Sequence, residues 1–240
     1  MSLEFEGPKQ ETSLESKTEL KILDSFDWKD PGVLNEDGTS RGENGIRGEK
    51  GEVYKGVVRY ATQADREGIK AVEKDKWEYR TKRGERNYRG PDGEIEEPTM
   101  EDFDRLINQP DKFGSILLTI DGEVVAHVDF GENHLSEEPD GNPDSKTTEL
   151  YTVTTLERYK RNGFMKRLLE LAEKEVQKVF DSEKIILSTQ EENPDAIAFY
   201  SDPEVGYEQL PGHFESQGEW KGKSPYYSVR FIKHLKKSDA

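Results

Sequence analysis

A short basic segment has the composition and position expected of an anion-binding turn. It runs from Arg158 to Arg167 and holds five basic side chains and no acidic one. The segment joins a strand-like run to a helix-like run, and Gly163 lies at the junction. The first amides of a helix have no partner within the helix, and glycine lets an anion approach the backbone closely. A pyrophosphate would bind well here, although a solvated helix start with an ordinary turn glycine has the same composition.

The overall composition excludes several other kinds of chemistry. The 240-residue chain has no cysteine and only four histidines, which removes disulfides, thiolate zinc sites and cysteine nucleophiles and leaves little for a metal site. The formal net charge of -16 opposes general binding to nucleic acid and is compatible with a cationic substrate. No run of ~18 apolar residues and no basic-then-apolar start occurs, so we expect a soluble cytoplasmic protein. Because the chain has no cysteine and few histidines, we also expect no metal ion.

The spacing of apolar residues predicts an α/β fold. The pair Asp121-Gly122 lies between two apolar runs and is typical of a two-residue hairpin turn. The run from Gly163 to Phe180 has apolar residues at helical spacing, and Asn193-Pro194 is typical of a helix start. The order of elements predicts a mixed, mostly antiparallel central sheet of about seven strands flanked by helices. The predicted strands are 53–60, 115–120, 123–130, 148–155, 185–187, 206–207 and 226–235, and two further helices are predicted to begin near Thr62 and Thr99.

Polar segments indicate how the chain is divided. Residues 1–50 are polar and glycine-rich, and such a segment cannot bury enough apolar surface to offset its chain entropy. We therefore predict a largely disordered N-terminal arm at 1–50 and a domain at 51–236. Within the arm, residues 20–23 with Phe26 and Trp28 form an apolar cluster that could dock on a surface. A second polar stretch, Gly131 to Lys146, is predicted to be a long exposed loop.

Two motifs and their spacing resemble those of a known family. The run Lys160-Arg161-Asn162-Gly163-Phe164-Met165 is similar to the acetyl-CoA pyrophosphate loop of the GNAT superfamily of N-acetyltransferases, usually written Gln/Arg-x-x-Gly-x-Gly/Ala. Lys160 and Met165 depart from that pattern. The run Asn193-Pro194-Asp195-Ala196-Ile197-Ala198-Phe199-Tyr200, with Gly206-Tyr207 after it, resembles the family's Asn-x-x-Ala-x-x-Phe-Tyr…Gly-Phe segment. The resemblance covers residues 52–235 and implies the acyl-CoA N-acyltransferase fold.

The resemblance also implies roles for the matching residues. Backbone amides of the loop would hold the pyrophosphate of acetyl-CoA, with basic side chains of the segment 160–167 near the phosphates. Amides of the central strand would bind the pantetheine arm and polarise the thioester carbonyl. Tyr200 would protonate the departing thiolate as a general acid, although an aromatic residue on such a helix is more often part of the core. The implied cofactor-binding residues are Val153, Thr155, Lys160, Arg161, Asn162, Gly163, Phe164, Met165 and Asn193, the last of which is also a candidate helix cap.

Two candidates exist for a general base that would take a proton from the acceptor amine. Glu149 lies near the start of the central strand, at an offset from Gly163 similar to that of the catalytic Glu in histone-type members of the family. Apolar neighbours could raise its pKa into a useful range, but it is equally an acid at the end of an acidic loop. His127 and Asp129 share one face of the preceding strand and could do the same work through a water.

The sequence therefore predicts an acetyl-CoA-dependent N-acetyltransferase that transfers acetyl directly to a small cationic amine or a peptide or protein amine. Two alternatives stay open. One is a non-catalytic GNAT-like module that binds CoA or another protein, which the departures at Lys160 and Met165 favour slightly. The other is a binder of RNA or of an acidic partner that uses the basic residues between Arg80 and Arg89. No membrane partner is expected, and a homodimer is left open.

Overall fold

A computed structural model describes residues 21–29, 53–83, 100–137, 141–212, 214–215 and 227–236. In these residues the strand-like segments pair into one sheet. Within these ranges the sheet has nine strands in the order β1-β2-β3-β4-β5-β6-β9-β7, and β8 also pairs with β9. All neighbours are antiparallel except β5 and β6. The mixed, mostly antiparallel sheet is thus confirmed, with nine strands where about seven were expected. The strands are β1 Ile22–Lys29, β2 Val53–Tyr60, β3 Phe113–Ile120, β4 Glu123–Glu132, β5 Thr147–Thr155, β6 Lys184–Gln190, β7 Glu208–Gln209, β8 Phe214–Glu215 and β9 Tyr227–His234.

Four α-helices of the described residues lie against this sheet: α1 Arg66–Lys82, α2 Met100–Asn108, α3 Phe164–Phe180 and α4 Pro194–Tyr200. Helices α1 and α3 cover opposite faces. The side chain of His127 contacts Glu73 of α1, whereas Phe130 contacts Phe180 of α3. Side chains alternate along a strand, so positions three apart on β4 point to opposite faces. Helix α3 buries most of its predicted apolar face, including Leu168, Ala172 and Val176, but Val179 at the end of that face is 44% exposed.

Local turn chemistry accounts for several element boundaries. Asp121 and Gly122 both have positive φ, of 47° and 83°, as a two-residue turn between β3 and β4 requires. At the start of α4, the Asn193 side chain accepts a hydrogen bond from the amide of Ala196, and Pro194 occupies the first turn. The predicted hairpin and the predicted start of α4 are therefore confirmed.

Strand β1 lies inside the segment that the composition assigned to a polar arm. It pairs antiparallel with β2, and its Trp28 is only 9% exposed. Residues 22–29 therefore belong to the sheet, and Ile22, Leu23, Phe26 and Trp28 of the apolar cluster, which could have docked on a surface, lie in a strand instead. The rest of residues 1–52 lies outside the described residues, apart from Lys21. A smaller difference concerns residues 206–207: Gly206 is in a left-handed turn, and strand β7 follows at Glu208.

The connection from β5 through α3 to β6 produces the only parallel strand pair in the described part of the sheet. Strands β5 and β6 pair from Thr147 with Lys184 to Leu150 with Leu187, and then they separate. Beyond that point β5 continues beside β4 alone, and β6 continues beside β9 alone. The sheet therefore opens into a wedge between residues 151–155 and 188–190.

Candidate active site

The open edge of β5 presents unpaired backbone amides to the wedge. The amide of Leu156 donates to the carbonyl of Val125 at 2.9 Å, in register with the pairing of β4 and β5. Amide directions alternate along a strand, so the amides of Thr154 and Leu156 point toward β4. Those of Val153 and Thr155 point the other way, into the wedge, where no described strand pairs with them. These are the two strand residues that the family resemblance implied.

A tight turn leads from β5 to the start of α3 at the same end of the wedge. Arg161 and Gly163 both have left-handed φ, of 63° and 76°. The side-chain amide of Asn162 donates to the carbonyls of Tyr159 and Lys160, at 3.1 and 3.3 Å, and so holds the turn from within. Gly163 is the N-cap of α3; no side chain caps this helix start, and its first turn has no acidic residue. The first amides of α3 are therefore available to an anion.

The wedge, the turn and α4 enclose one pocket with a volume of about 410 Å³. Eight of the predicted cofactor-binding residues line it, and so does Tyr200; the exception is Asn162, whose amide is used inside the turn. The predicted lining residues are Val153, Thr155, Lys160, Arg161, Gly163, Phe164, Met165, Asn193 and Tyr200. Residues as far apart in the sequence as Val153 and Tyr200 are thus brought to one cavity by the separation of β5 from β6.

Helix α1 adds a wall to the pocket that sequence reasoning missed. Lys76, Tyr79 and Arg80 line the cavity, because α1 crosses its face of the sheet and ends over the wedge. Arg83, one turn further, pairs with Asp195 at the start of α4, and so α1 is joined to the opposite side of the opening. The signal in the sequence is the spacing of these residues, since positions three and four apart share one side of a helix.

Tyr200 is held at the pocket by the packing of three aromatic rings. Its ring centroid lies 5.2 Å from Phe199, 5.6 Å from Tyr207 and 5.5 Å from Phe231. Burial raises the pKa of the Tyr200 phenol well above its usual value, so the phenol keeps its proton at neutral pH. Among the described residues its hydroxyl has no hydrogen-bond partner, which leaves the O–H able to donate to a group in the cavity.

Most of the basic side chains of the turn are already paired with acids. Lys160 pairs with Glu157 at 2.6 Å and lies 4.0 Å from the ring centroid of Tyr79. Lys166 pairs with Glu204 at 2.7 Å, and Arg167 pairs with Asp24 of β1. Arg161, by contrast, is exposed and has no ion-pair partner in the described chain. Backbone amides and Arg161 are therefore the groups of the turn best placed for an anion.

Glu149 lies outside the lining of this pocket, on β5 where that strand still pairs with β6. Burial raises the pKa of its carboxyl to about 7, opposed by a hydrogen bond from the His134 amide at 2.8 Å and by the charge of Arg230. Val153 is four residues further along the same strand. The structure therefore separates this carboxyl from the pocket and gives it a pKa suited to proton transfer.

His127 and Asp129, the alternative base pair, belong instead to a buried charge network. The imidazole nitrogens of His127 lie 3.1 Å from a Glu73 oxygen and 3.3 Å from an Asp129 oxygen. Burial opposes the charge on this imidazole, but the carboxylates of Asp129 and Glu73 outweigh it and raise the pKa of His127 to about 9. Glu73 in turn pairs with Lys76 of the pocket wall. Because His127 is 1% exposed and bonded on both nitrogens, it is not placed to act on a substrate.

Comparison with known proteins identifies the arrangement. A family model described as "Acetyltransferase (GNAT) family" matches residues 71–206. No curated protein sequence matches the chain. In the part of the chain that the structure describes, no group of His, Asp or Glu could hold a metal ion, and no helix is long and apolar enough to cross a membrane.

Solved structures share the fold at low sequence identity. A probable acetyltransferase from Staphylococcus epidermidis is 15% identical, with a TM-score of 0.56 over 75% of this chain and 99% of its own. The ribosomal-protein-S18-alanine N-acetyltransferase from Escherichia coli is 14% identical, with a TM-score of 0.51 over 76% and 96%. The Salmonella typhimurium protein yncA, whose structure includes its cofactor acetyl-CoA, is 14% identical, with a TM-score of 0.52 over 77% and 96%.

The charge network predicts how stability depends on pH. The folded-state pKa of His127 is about 9, above the ~6.5 of an unperturbed imidazole, so folding favours the protonated form. Its contribution is full below pH ~6.5 and is lost as the pH rises through 9. We expect the free energy of unfolding, measured by guanidinium denaturation, to fall between these pH values. His127→Gln should remove this part of the slope, whereas the control His134→Gln, at an exposed histidine, should keep it.

Proposed function

The chain belongs to the acetyltransferase (GNAT) family, and from that premise we propose that it is an acetyl-CoA-dependent N-acetyltransferase. The observation that carries the proposal is that one cavity combines three features. These are an uncapped helix start behind a left-handed glycine, two unpaired strand amides, and a buried tyrosine. The first suits a pyrophosphate, the second an extended amide-containing arm with a carbonyl at its end, and the third a departing thiolate.

The residues of the turn fit the pyrophosphate of acetyl-CoA. A Cβ added at Gly163 would have no atom of the described residues within 4 Å, so the space in front of the helix start is open. The amides from Arg161 to Met165 would donate to the phosphate oxygens, and the exposed guanidinium of Arg161 would add a charge. Asn162 would act by holding the turn, since its side-chain amide donates to the carbonyls of Tyr159 and Lys160 just before it.

The open edge of β5 would hold the rest of the cofactor. The amides of Val153 and Thr155 would donate to carbonyl oxygens of the pantetheine arm and of the thioester, whose carbon then becomes more electrophilic. Asn193 has its oxygen engaged as the cap of α4, and its side-chain nitrogen lies 3.4 Å from the Thr189 hydroxyl. We therefore assign Asn193 to positioning α4 at the pocket.

Acetyl-CoA supplies the acetyl thioester, and the chain's own groups would manage the protons. The acceptor nitrogen would attack the carbonyl carbon, the carbon–sulfur bond would break, and no covalent bond to the enzyme would form. Tyr200 would give its proton to the departing sulfur, because a phenol kept neutral by burial is an effective donor there. Glu149 would take the first proton from the acceptor ammonium, with its carboxyl reaching the amine through a water. The second N–H proton, lost as the amide forms, would restore the Tyr200 phenol.

Gly163→Glu should abolish cofactor binding. The new carboxylate would occupy the open space at the helix start and repel the pyrophosphate, so we expect the Kd for acetyl-CoA to rise at least ~100-fold. Isothermal titration calorimetry measures it directly. The matched control is Gly122→Glu, because Gly122 also has a left-handed φ with open space around it but lies in the β3–β4 turn. Failure of the wild-type protein to bind millimolar acetyl-CoA would overturn the proposed function.

Tyr200→Phe should lower turnover and leave cofactor affinity nearly unchanged, since only the proton donor is lost. The expected fall in kcat is about 10²-fold, typical of a missing general acid. Release of free thiol from acetyl-CoA, measured over a panel of polyamines, aminoglycosides and peptides with free amino termini, provides the assay. Tyr207→Phe is the control, because that buried phenol lies beside Tyr200 but is bonded to Glu173. A Tyr200→Phe enzyme with full kcat would exclude the acid role.

Glu149→Gln should remove one limb of the pH–rate profile. With the folded pKa of Glu149 at about 7, the base form accumulates as the pH rises through 7, and kcat/KM should rise with it. One acceptor amine is used throughout, so that its own ionisation is common to all variants. The control is Glu132→Gln, which changes an exposed carboxylate on the neighbouring strand β4. It should leave the rise of kcat/KM through pH 7 unchanged. A Glu149→Gln profile identical to that of the wild type would contradict the assignment.

A further inference from the structure

Strand β1 is a part of the fold that neither the family match nor the proposed chemistry uses. It precedes the matched residues 71–206, and none of its residues lines the pocket. It is nevertheless attached to α3 at positions between Phe164 and Glu175. Lys21, just before the strand, pairs with Glu175 at 2.6 Å, and Asp24 accepts a hydrogen bond from Nε of Arg167 at 2.6 Å.

An aromatic contact of β1 reaches the back of the pocket wall. The Trp28 ring centroid lies 5.8 Å from that of Tyr159 and 5.3 Å from that of Phe164. Tyr159 and Phe164 stand on either side of the turn and both line the pocket. Trp28 therefore packs behind the two residues that begin and end the pyrophosphate-binding turn.

A second aromatic side chain extends this contact to the first turn of α3. The Phe26 ring lies 6.1 Å from Phe164 and 4.1 Å from the guanidinium carbon of Arg167. Its position depends on Gly56, its partner on β2, because any Cβ at residue 56 would collide with the Phe26 ring. Phe26 and Asp24 together hold the Arg167 side chain against β1.

The turn needs such external support. Arg161 is a non-glycine residue in the left-handed region, a conformation that persists only where the surroundings hold it. Asn162 supports the turn from within, and Tyr159 is fully buried at its start. The rings of Trp28 and Phe26 complete the packing from behind.

We propose that β1 positions the pyrophosphate-binding turn, with Trp28 as the principal positioning residue for cofactor affinity. The inference rests on the proposed function for the identity of the ligand. Amides displaced from the pyrophosphate lose charge-assisted hydrogen bonds, and the loss of one such bond corresponds to about tenfold in affinity. The acid and base on other elements are not touched by β1, so the maximal rate should not change.

The test compares Trp28→Ala with Trp28→Phe and with Phe180→Ala in the full chain. Phe180 lies at the far end of α3 and packs on Phe130, so its truncation also removes an aromatic contact of the same helix. Trp28→Ala should raise the Kd and KM for acetyl-CoA about tenfold at unchanged kcat, and amides 161–165 should exchange hydrogen faster. Trp28→Phe should restore most of the affinity, and Phe180→Ala should leave the Kd at the wild-type value.

Two results would overturn the inference: an unchanged Kd in Trp28→Ala, or an equal rise in Phe180→Ala, which would indicate general destabilisation. If Trp28→Ala does not fold, the Kd of Trp28→Leu, which also lacks the aromatic ring, decides, and a value equal to that of the wild type counts against the inference. If the wild-type protein does not bind acetyl-CoA, the proposed function fails and hydrogen exchange decides alone. In that case, faster hydrogen exchange of amides 161–165 in the Trp28 variants, but not in Phe180→Ala, supports the positioning role. Unchanged exchange in the Trp28 variants refutes it.

Discussion

The separation of β5 from β6 is the constraint on which the rest of the site depends. The two strands pair over four residues each and then diverge, which leaves β5 with one bonded neighbour in the middle of a sheet. Buried backbone amides are normally paired, so a strand that loses its neighbour inside a domain leaves donors for another molecule. The parallel direction has the same origin, because it requires a crossover, and that crossover is α3. One topological step thus provides the open edge, the helix start and the turn between them.

Charge is distributed to suit this opening, although the chain as a whole is strongly acidic. Lys76, Arg80, Lys160, Arg161 and Lys166 line the pocket, whereas the net charge of the protein is -16. Under the α1 wall, acid and base alternate from Asp129 through His127 and Glu73 to Lys76. An alternating row costs less to bury than a single charge, since each ion is flanked by opposite charge. The network ties α1 to β4 beneath the site.

The parts of the fold that depend on residues adjacent in the chain were predictable from the sequence. Asp121-Gly122, Asn193-Pro194 and Gly163 mark turns and helix starts because the required backbone geometry is local. The parts set by distant partners were not. Strand β1 exists because β2 pairs with it, and its own polar flanks gave no indication of that pairing.

The same distinction holds for the candidate site. The turn and α4 carry motifs, and the structure brings them together in one pocket. The α1 residues carry no motif, and only the path of α1 across the sheet places them there. Arg167 was expected near a phosphate, but Asp24, 143 positions earlier, holds it instead.

Because the pocket is built from separate segments of the chain, ligand binding is coupled to the stability of the folded domain. The walls of the pocket come from three segments, 76–80, 153–166 and 193–200, and no one of them retains the cavity if the others unfold. A ligand specific to this cavity therefore binds the native state alone, and at 100 times its Kd it adds ~2.7 kcal/mol to the free energy of unfolding. Openings that disrupt the pocket, and so expose the domain to proteases, would become rarer in the same proportion. The lifetime of the protein in a cell would then follow the supply of that ligand.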